Sequence, residues 1–477
     1  MGTQNVRTDM DSAELRRFTK KLLRDMRAFE VLLQNDAFET GVSRIGAEQE
    51  MFLVDHRWRP ASVSTAVLES LDEPHFTTEL ALFNMECNLD PLPLEGDSLR
   101  RMERQLNDLL TRAREAAIQH EVRVVLTGIL PTLTKADLSL ENMTPNPRYF
   151  ALNESISRQR GEDYQFRIRG RDELIVTHDN VMLEACNTSF QVHFQVDPSH
   201  FARRYNIAQA VAAPVLAAAT NSPLLFGRRL WRETRIALFQ QSIDTRAPQA
   251  HIRDQAARVS FGQNWVRKSA LEIFKEDVAR FRVLFGTEIE EDPFEAIDAG
   301  RPPALRALRL HNSTVYRWNR PCYGVSHGKP HLRIENRILP SGPTPLDEMA
   351  NAAFWFGLMR GVWERYDDIT QVMDFGTAKE NFVAAARLGL AAQFGWPGRE
   401  QVPAGELIRT ELLPLAREGL QATGIDAADA ERYLGVIEER VAASRTGAQW
   451  MLDSFNAMRD NGTQSERLAA LVAAMHD

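Results

Sequence analysis

The sequence predicts an α+β fold in which helices cover an antiparallel β-sheet. Segments Arg44 to Val54, Phe190 to Val196 and His331 to Leu339 alternate with period two, which sends successive side chains to opposite faces of a strand. Asn187, Thr188 and Ser189 separate two extended segments, Val181 to Cys186 and Phe190 to Val196, as the turn of a hairpin does. Helical spacing fills most of residues 201–300, rich in Ala, Leu, Arg and Gln, and the chain from Asp347 to His476.

Taken in order, Leu15, Phe18, Leu22, Leu23, Met26, Phe29 and Leu32 fall at helical spacing and predict an amphipathic helix over 11–35. On the first strand Ile45, Ala47, Met51 and Leu53 share one face, while Gly46, Glu48 and Glu50 share the other. A second strand, Phe83 to Leu89, is stopped by Pro91 and Pro93, and a helix from Ser98 to Ala117 precedes a strand at Val122 to Thr127. Phe190, Val192, Phe194 and Val196 oppose Gln191, His193 and Gln195. Residues 201–300 read as a helical insertion or cover layer. In the next strand Leu332, Ile334 and Ile338 oppose Arg333, Glu335 and Arg337, and Pro340 ends it. The C-terminal helices break at Trp396 to Pro403. The expected organisation is an N-terminal helix (1–40), a core (41–360) and a helical portion packed on it (361–477).

With 477 residues, 44% hydrophobic and 26% charged, the chain has ample material for a large core. The net charge of −8 comes without a Lys/Arg stripe, which argues against nucleic acid as a partner. Cys87, Cys186 and Cys322 are too scattered for a disulfide framework or a zinc site. The apolar run Ala210 to Thr220 contains Pro214 and falls short of the ~20 residues that span a bilayer, so no membrane partner is expected. The opening Met-Gly-Thr-Gln-Asn-Val lacks an apolar signal core, and Val6 stands where a myristoylation motif wants Ser or Thr. A cytoplasmic location is expected, with the oligomeric state open and a homo-oligomer admitted.

The ionisable strand faces carry the chemistry. Glu48 and Glu50, two apart, project the same way about 7 Å apart along the backbone. Two anions so placed resist joint ionisation unless a cation joins them. Glu48, Glu50, Glu86 and Glu335 supply hard oxygen donors for Mg²⁺, and His193 adds a nitrogen donor that also suits Mn²⁺. Arg333 and Arg337, flanking Glu335, can hold phosphate or carboxylate bidentately. Each piece alone has a plainer meaning, such as a solvated strand face for Glu-X-Glu or a surface ion-pair row for Arg333, Glu335 and Arg337. Their recurrence on several strands favours a site. Gly324 to Lys329 lacks the spacing of a Walker loop, so metal and arginines must hold any nucleotide.

Arg-Ile-Gly-Ala-Glu-Gln-Glu-Met-Phe from Arg44 resembles the first metal strand of the glutamine synthetase and glutamate-cysteine ligase superfamily, and His331 to Arg337 resembles its Arg-X-Glu-X-Arg strand. His193 in Gln-Val-His-Phe-Gln, together with Pro147-Arg148-Tyr149 and Asn221-Ser222-Pro223, is similar in order and character to the plant-type and proteobacterial branch of glutamate-cysteine ligases. The resemblance covers roughly residues 40–360. Glu79 and Glu86 resemble the paired acidic positions of the second metal strand. Their separation of seven puts them on opposite faces of an unbroken strand, so Glu79 must sit in a loop or beyond a bulge to join the others.

The resemblance implies a sheet curved into a half-barrel, with ATP as co-substrate and amino acids as the small-molecule partners. A carboxylate attacks the γ-phosphorus to give an acyl phosphate, and an amine displaces phosphate to leave an amide. It assigns Glu48, Glu50, Glu79, Glu86, His193 and Glu335 to Mg²⁺ or Mn²⁺, and Arg337 with Arg333 to the transferring phosphoryl group. Arg317 is the candidate for the substrate carboxylate, read equally well as a surface arginine; Arg148, Tyr149 and Gln195 are further pocket candidates. Glutamate and cysteine are the expected substrates. Another amino acid or amine, or a silent binding protein of the same fold, are the alternatives.

Overall fold

Alternation at Arg44 to Val54 does produce a strand, and its neighbours are drawn from distant parts of the chain. The computed structural model describes residues 12–160, 164–244, 257–284 and 286–476. Its main sheet has eight strands: β1 (Arg44–Val54), β2 (Phe76–Thr78), β3 (Asn84–Asn88), β4 (Leu92–Pro93), β5 (Arg123–Val125), β6 (Phe190–Val196), β7 (Asn319–Ser326) and β8 (Lys329–Asn336). The order is β7-β8-β6-β1-β3-β2, with β4 and β5 also on β1, and every pairing is antiparallel. The sheet curls into a half-barrel.

Both faces of this sheet are covered. The main helices are α1 (Ser12–Gln34), α2 (Ser98–Gln119), α3 (Pro147–Arg160), α4 (Phe201–Ala219), α5 (Ala270–Arg280), α6 (Arg306–Asn312), α7 (Pro345–Arg365) and α8 (Leu413–Ala422). α7 backs the apolar face, where Phe194 meets Trp355 edge-on at 6.2 Å and Phe356 at 6.1 Å between ring centroids. Trp355, Phe356 and Phe190 are wholly buried, each worth roughly 2 kcal/mol of burial. That layer offsets the cost of enclosing ionisable groups behind the sheet's other face. α8 can approach α7 because Gly361 faces it: a Cβ there would lie 2.0 Å from the Leu415 carbonyl oxygen. On the far side α1 buries Phe18, Leu22, Phe29 and Leu32 but leaves Leu23 exposed, and Phe29 packs edge-on against Phe274 of α5 and Tyr323 of β7. One hydrophobic cluster runs from Phe18 to Val472, with a small second one around Leu224, Met451 and Phe455.

Several sequence expectations need correction. Val181–Cys186 is a 3-10 helix, not the first strand of a hairpin. The Asn180 side chain caps it by accepting from the Met182 amide, and β6 has both edges filled by β1 and β8. α4 is a core helix rather than a cover, since nearly every residue from Tyr205 to Ala219 is buried. The rest of the 201–300 region mixes helices at Thr234–Ser242, α5 and Pro293–Asp298 with short strands, and 245–256 lie outside the described residues. The break at Trp396 to Pro403 is a hairpin of Gln393–Trp396 with Arg399–Pro403. A further hairpin, Tyr164–Arg169 with Glu173–His178, and strand β7 had no counterpart in the sequence reading. No helix among the described residues is long and apolar enough to cross a membrane.

Candidate active site

Strand register decides which polar side chains meet. Glu50 lies opposite Glu86, His193 opposite Glu335, and Glu335 opposite Arg320. A single cavity of about 220 Å³ opens on this face, lined among others by Glu48, Glu50, Glu79, Glu86, Arg148, Tyr149, Glu184, Tyr316, Arg320, Arg333, Glu335 and Arg337. Glu79 reaches it because β2 ends at Thr78, and the turn over 79–83 frees its side chain from strand alternation.

Two groups of metal-competent donors form, each with its donor atoms within 4.8 Å of one another: Glu50, Glu79 and Glu86, and Glu48, His193 and Glu335. Their electrostatics differ. In the first group Glu50 accepts from the Ser189 amide at 2.6 Å and Gln191 Nε2 at 2.7 Å, and Glu86 from Asn88 Nδ2 at 2.7 Å. No cation pairs with the three carboxylates among the described residues. Burial, then the charges of neighbouring glutamates, pushes Glu79 up to about 8 and Glu86 well above the usual carboxylate range. Burial likewise raises Glu50, against the pull of Arg337.

The second group is already compensated. Arg320 Nη2 lies 2.8 Å from both Glu335 oxygens and Arg337 Nη1 2.6 Å from Oε1, while the Cys322 thiol donates at 3.2 Å. Burial opposes ionisation of Glu335, yet Arg320 and then Arg337 hold its carboxyl well below the normal range. Arg333 Nε donates to His193 Nδ1 at 3.2 Å. A guanidinium only donates, so His193 Nε2 carries the proton that meets Glu48 Oε1 at 3.1 Å. Burial raises Glu48, but His193 beside it brings its carboxyl down to about 2.

This donor chemistry fits a hard divalent cation. Two buried carboxylates and the half-buried Glu79 converge in the first group, and at ~4–5 Å each like-charged pair repels by on the order of 3 kcal/mol at an effective dielectric near 20. Protons or a divalent ion must relieve that. Oxygen donors favour Mg²⁺, and the imidazole of the second group is compatible with Mn²⁺.

Two expected pocket residues are elsewhere. Arg317 does not line the cavity; its guanidinium is consumed by Asp277, with Nη2 2.6 Å from Oδ1, and by Glu276 at 2.9 Å. Gln195 shares a strand face with His193 but lies beyond the cavity, accepting from Arg44 Nη1 at 3.0 Å and donating to Glu39 at 2.9 Å. Arg148 and Tyr149 do face it from the start of α3, where Arg148 Nη2 donates to Ser313 Oγ and the Tyr149 hydroxyl to the Thr78 carbonyl, each at 3.0 Å. Glu184, Tyr316 and Arg320 went unassigned in the sequence. Burial and then the charge of Glu50 lift Glu184 to about 7. Recognising Asn319–Ser326 as a strand would have placed Arg320 beside Glu335; nothing in the sequence marks Glu184 or Tyr316.

The fold has solved counterparts. The glutamate–cysteine ligase (gshA) from Francisella tularensis, solved in complex with AMP, matches with a TM-score of 0.50 and 13% identity over 92% of this chain and 93% of that one. The bifunctional glutathione synthetase from Pasteurella multocida gives 0.49 and 12% over 96% of this chain and 54% of that one. No curated protein matches in sequence. The model of glutamate-cysteine ligase family 2 (GCS2) matches residues 44–474, and the chain therefore belongs to that family of ATP-dependent carboxylate–amine ligases.

Proposed function

We propose that the protein joins the γ-carboxylate of L-glutamate to the amine of L-cysteine, cleaving ATP to ADP and phosphate. One observation carries the reading: the carboxylates of two donor groups and the guanidiniums of Arg320, Arg333 and Arg337 open into one cavity. Such a cavity can take cations and polyanions together. The family and the half-barrel support the ligase class, while the choice of glutamate and cysteine is the finer part of the proposal.

In this reading Glu50, Glu79 and Glu86 hold one Mg²⁺ or Mn²⁺, and Glu48, His193 and Glu335 hold another. Bound there, such ions supply Lewis-acid stabilisation of phosphate oxygens. Arg337 and Arg333 neutralise charge on the transferring phosphoryl group, whose transition state asks for positioning and electrostatics rather than covalent help. Arg320 keeps Glu335 ionised and in place. Arg148, turned into the cavity from α3, receives a carboxylate of the acid substrate, with Tyr149 beside it. The acid's γ-carboxylate attacks the γ-phosphorus and ADP departs; the amine then attacks the acyl carbon and phosphate leaves.

ADP release by purified protein with MgATP and a panel of acid–amine pairs tests this. Release that requires glutamate and cysteine together supports it. Release with a different pair replaces the substrates and keeps the ligase class; release with no pair overturns the proposal.

A further inference from the structure

We infer that Glu184 and Tyr316 form the subsite that binds and orients the attacking amine, a primary ammonium group. The inference rests on the ligase reading above. Both residues line the cavity, and neither side chain has a hydrogen-bond partner among the described residues. That is unusual here, because every other carboxylate facing the cavity is hydrogen-bonded or belongs to one of the two donor groups. Glu184 belongs to neither. The 3-10 helix of residues 181–186 sets it in the wall, within electrostatic reach of Glu50 and Arg337. Tyr316 stands close enough to Glu184, Arg148 and Arg337 to feel all three charges, and its ring is braced edge-on by Phe239 at 5.2 Å.

The chemistry of this pair suits an ammonium better than a metal. A hard divalent ion needs several converging oxygens, whereas R–NH₃⁺ offers three donors and wants separate acceptors, here a carboxylate and a phenol oxygen. Position separates the attacking amine from the α-ammonium of the acid substrate. The nucleophile must lie beside the phosphorylated carbon, and Arg337 marks the phosphoryl end of the cavity. An α-ammonium of glutamate is three carbons from the reacting carboxyl and belongs nearer Arg148.

The step balances. The ammonium passes one proton to the Glu184 carboxylate, and the freed nitrogen lone pair forms the N–C bond. The C–O bond to phosphate breaks with its electron pair on phosphate, and the second proton leaves the nitrogen for that phosphate.

Hydroxylamine tests the assignment, because it is an uncharged nucleophile at neutral pH that intercepts acyl phosphates as hydroxamates. For the wild type and Glu184→Gln, kcat/KM is measured for the amine substrate and for hydroxylamine, with MgATP and the acid substrate. The ratio of amine to hydroxylamine is expected to fall at least about 30-fold in Glu184→Gln, with recovery in part by Glu184→Asp. Tyr316→Phe should lower the ratio about 5-fold and stands in if Glu184→Gln fails to fold. Equal loss with both nucleophiles, or an unchanged ratio, overturns the subsite while leaving the ligase reading intact. A wild type that yields no hydroxamate with any acid overturns the ligase reading, and the subsite with it.

Discussion

Glu50 and Glu86 face each other directly across the β1–β3 register, two buried carboxylates on one sheet face with no cation paired to either among the described residues. Like charges directly opposite destabilise a sheet, so this pair costs stability that protonation or a bound cation recovers. Glu86→Gln should raise the Tm of the metal-free protein by about 2 °C, and it should abolish the further rise that Mg²⁺ gives the wild type. Turnover should drop by more than roughly 100-fold. Thermal melts with and without Mg²⁺, beside ADP release, check all three; a lower metal-free Tm would refute the repulsion argument.

The two donor groups should fill in sequence. Arg320 and Arg337 already neutralise Glu335, while Glu50, Glu79 and Glu86 pair with no guanidinium among the described residues. Titration with Mn²⁺, following free ion by its magnetic resonance signal, should find about one tight site without nucleotide and a second only with a nonhydrolysable ATP analogue, whose phosphates add the missing negative charge. Two equal sites without nucleotide would contradict this.

Arg148 and Arg317 should separate cleanly by mutation. Arg148→Lys is expected to raise KM for the acid substrate about 10-fold with KM for ATP unchanged, since a point charge replaces a fork. Arg317→Met should cost roughly 3 kcal/mol of stability by stranding Asp277, and the double change with Asp277→Leu should recover most of it with KM near normal. Urea melts and steady-state kinetics decide. A large KM effect in the double variant would return Arg317 to the substrate.

His311 supplies a pH dependence away from the reaction. Burial drives its pKa down to about 4, and Nε2 meets the Phe281 carbonyl at 3.0 Å. Because the unfolded imidazole, at about 6.5, binds its proton first, this group's contribution is complete above pH ~6.5 and is lost as pH falls toward 4, up to roughly 3 kcal/mol. His311→Gln should flatten the slope of unfolding free energy between about pH 6.5 and 4.5, measured in urea. An unchanged slope would place the acid sensitivity elsewhere.

The strands that carry most of the donor set were legible because β1, β6 and β8 alternate through their donor positions, so Glu48, Glu50, His193 and Glu335 share one face by geometry alone. β7 was hidden by Pro321 and Gly324, residues that usually argue against a strand. Proline is tolerated because β7 is an edge strand. Missing it meant missing Arg320. The Val181–Cys186 run is apolar enough for a strand, but β6 has no free edge for it, and a local cap by Asn180 starts the 3-10 helix that presents Glu184. Arg317 shows the other limit: pattern can place a guanidinium on an element, but the acidic partner that consumes it, Asp277, is forty residues away.

The sheet order has a bearing on synthesis. β1 and β3 leave the ribosome long before β7 and β8, yet the cavity draws its lining from all four strands of the finished sheet. A nascent chain ending before Asn319 owns Glu48, Glu50 and Glu86 but not Arg320, Arg333 or Arg337. In the proposed reading an unfinished copy therefore holds only part of the donor set and turns over no nucleotide.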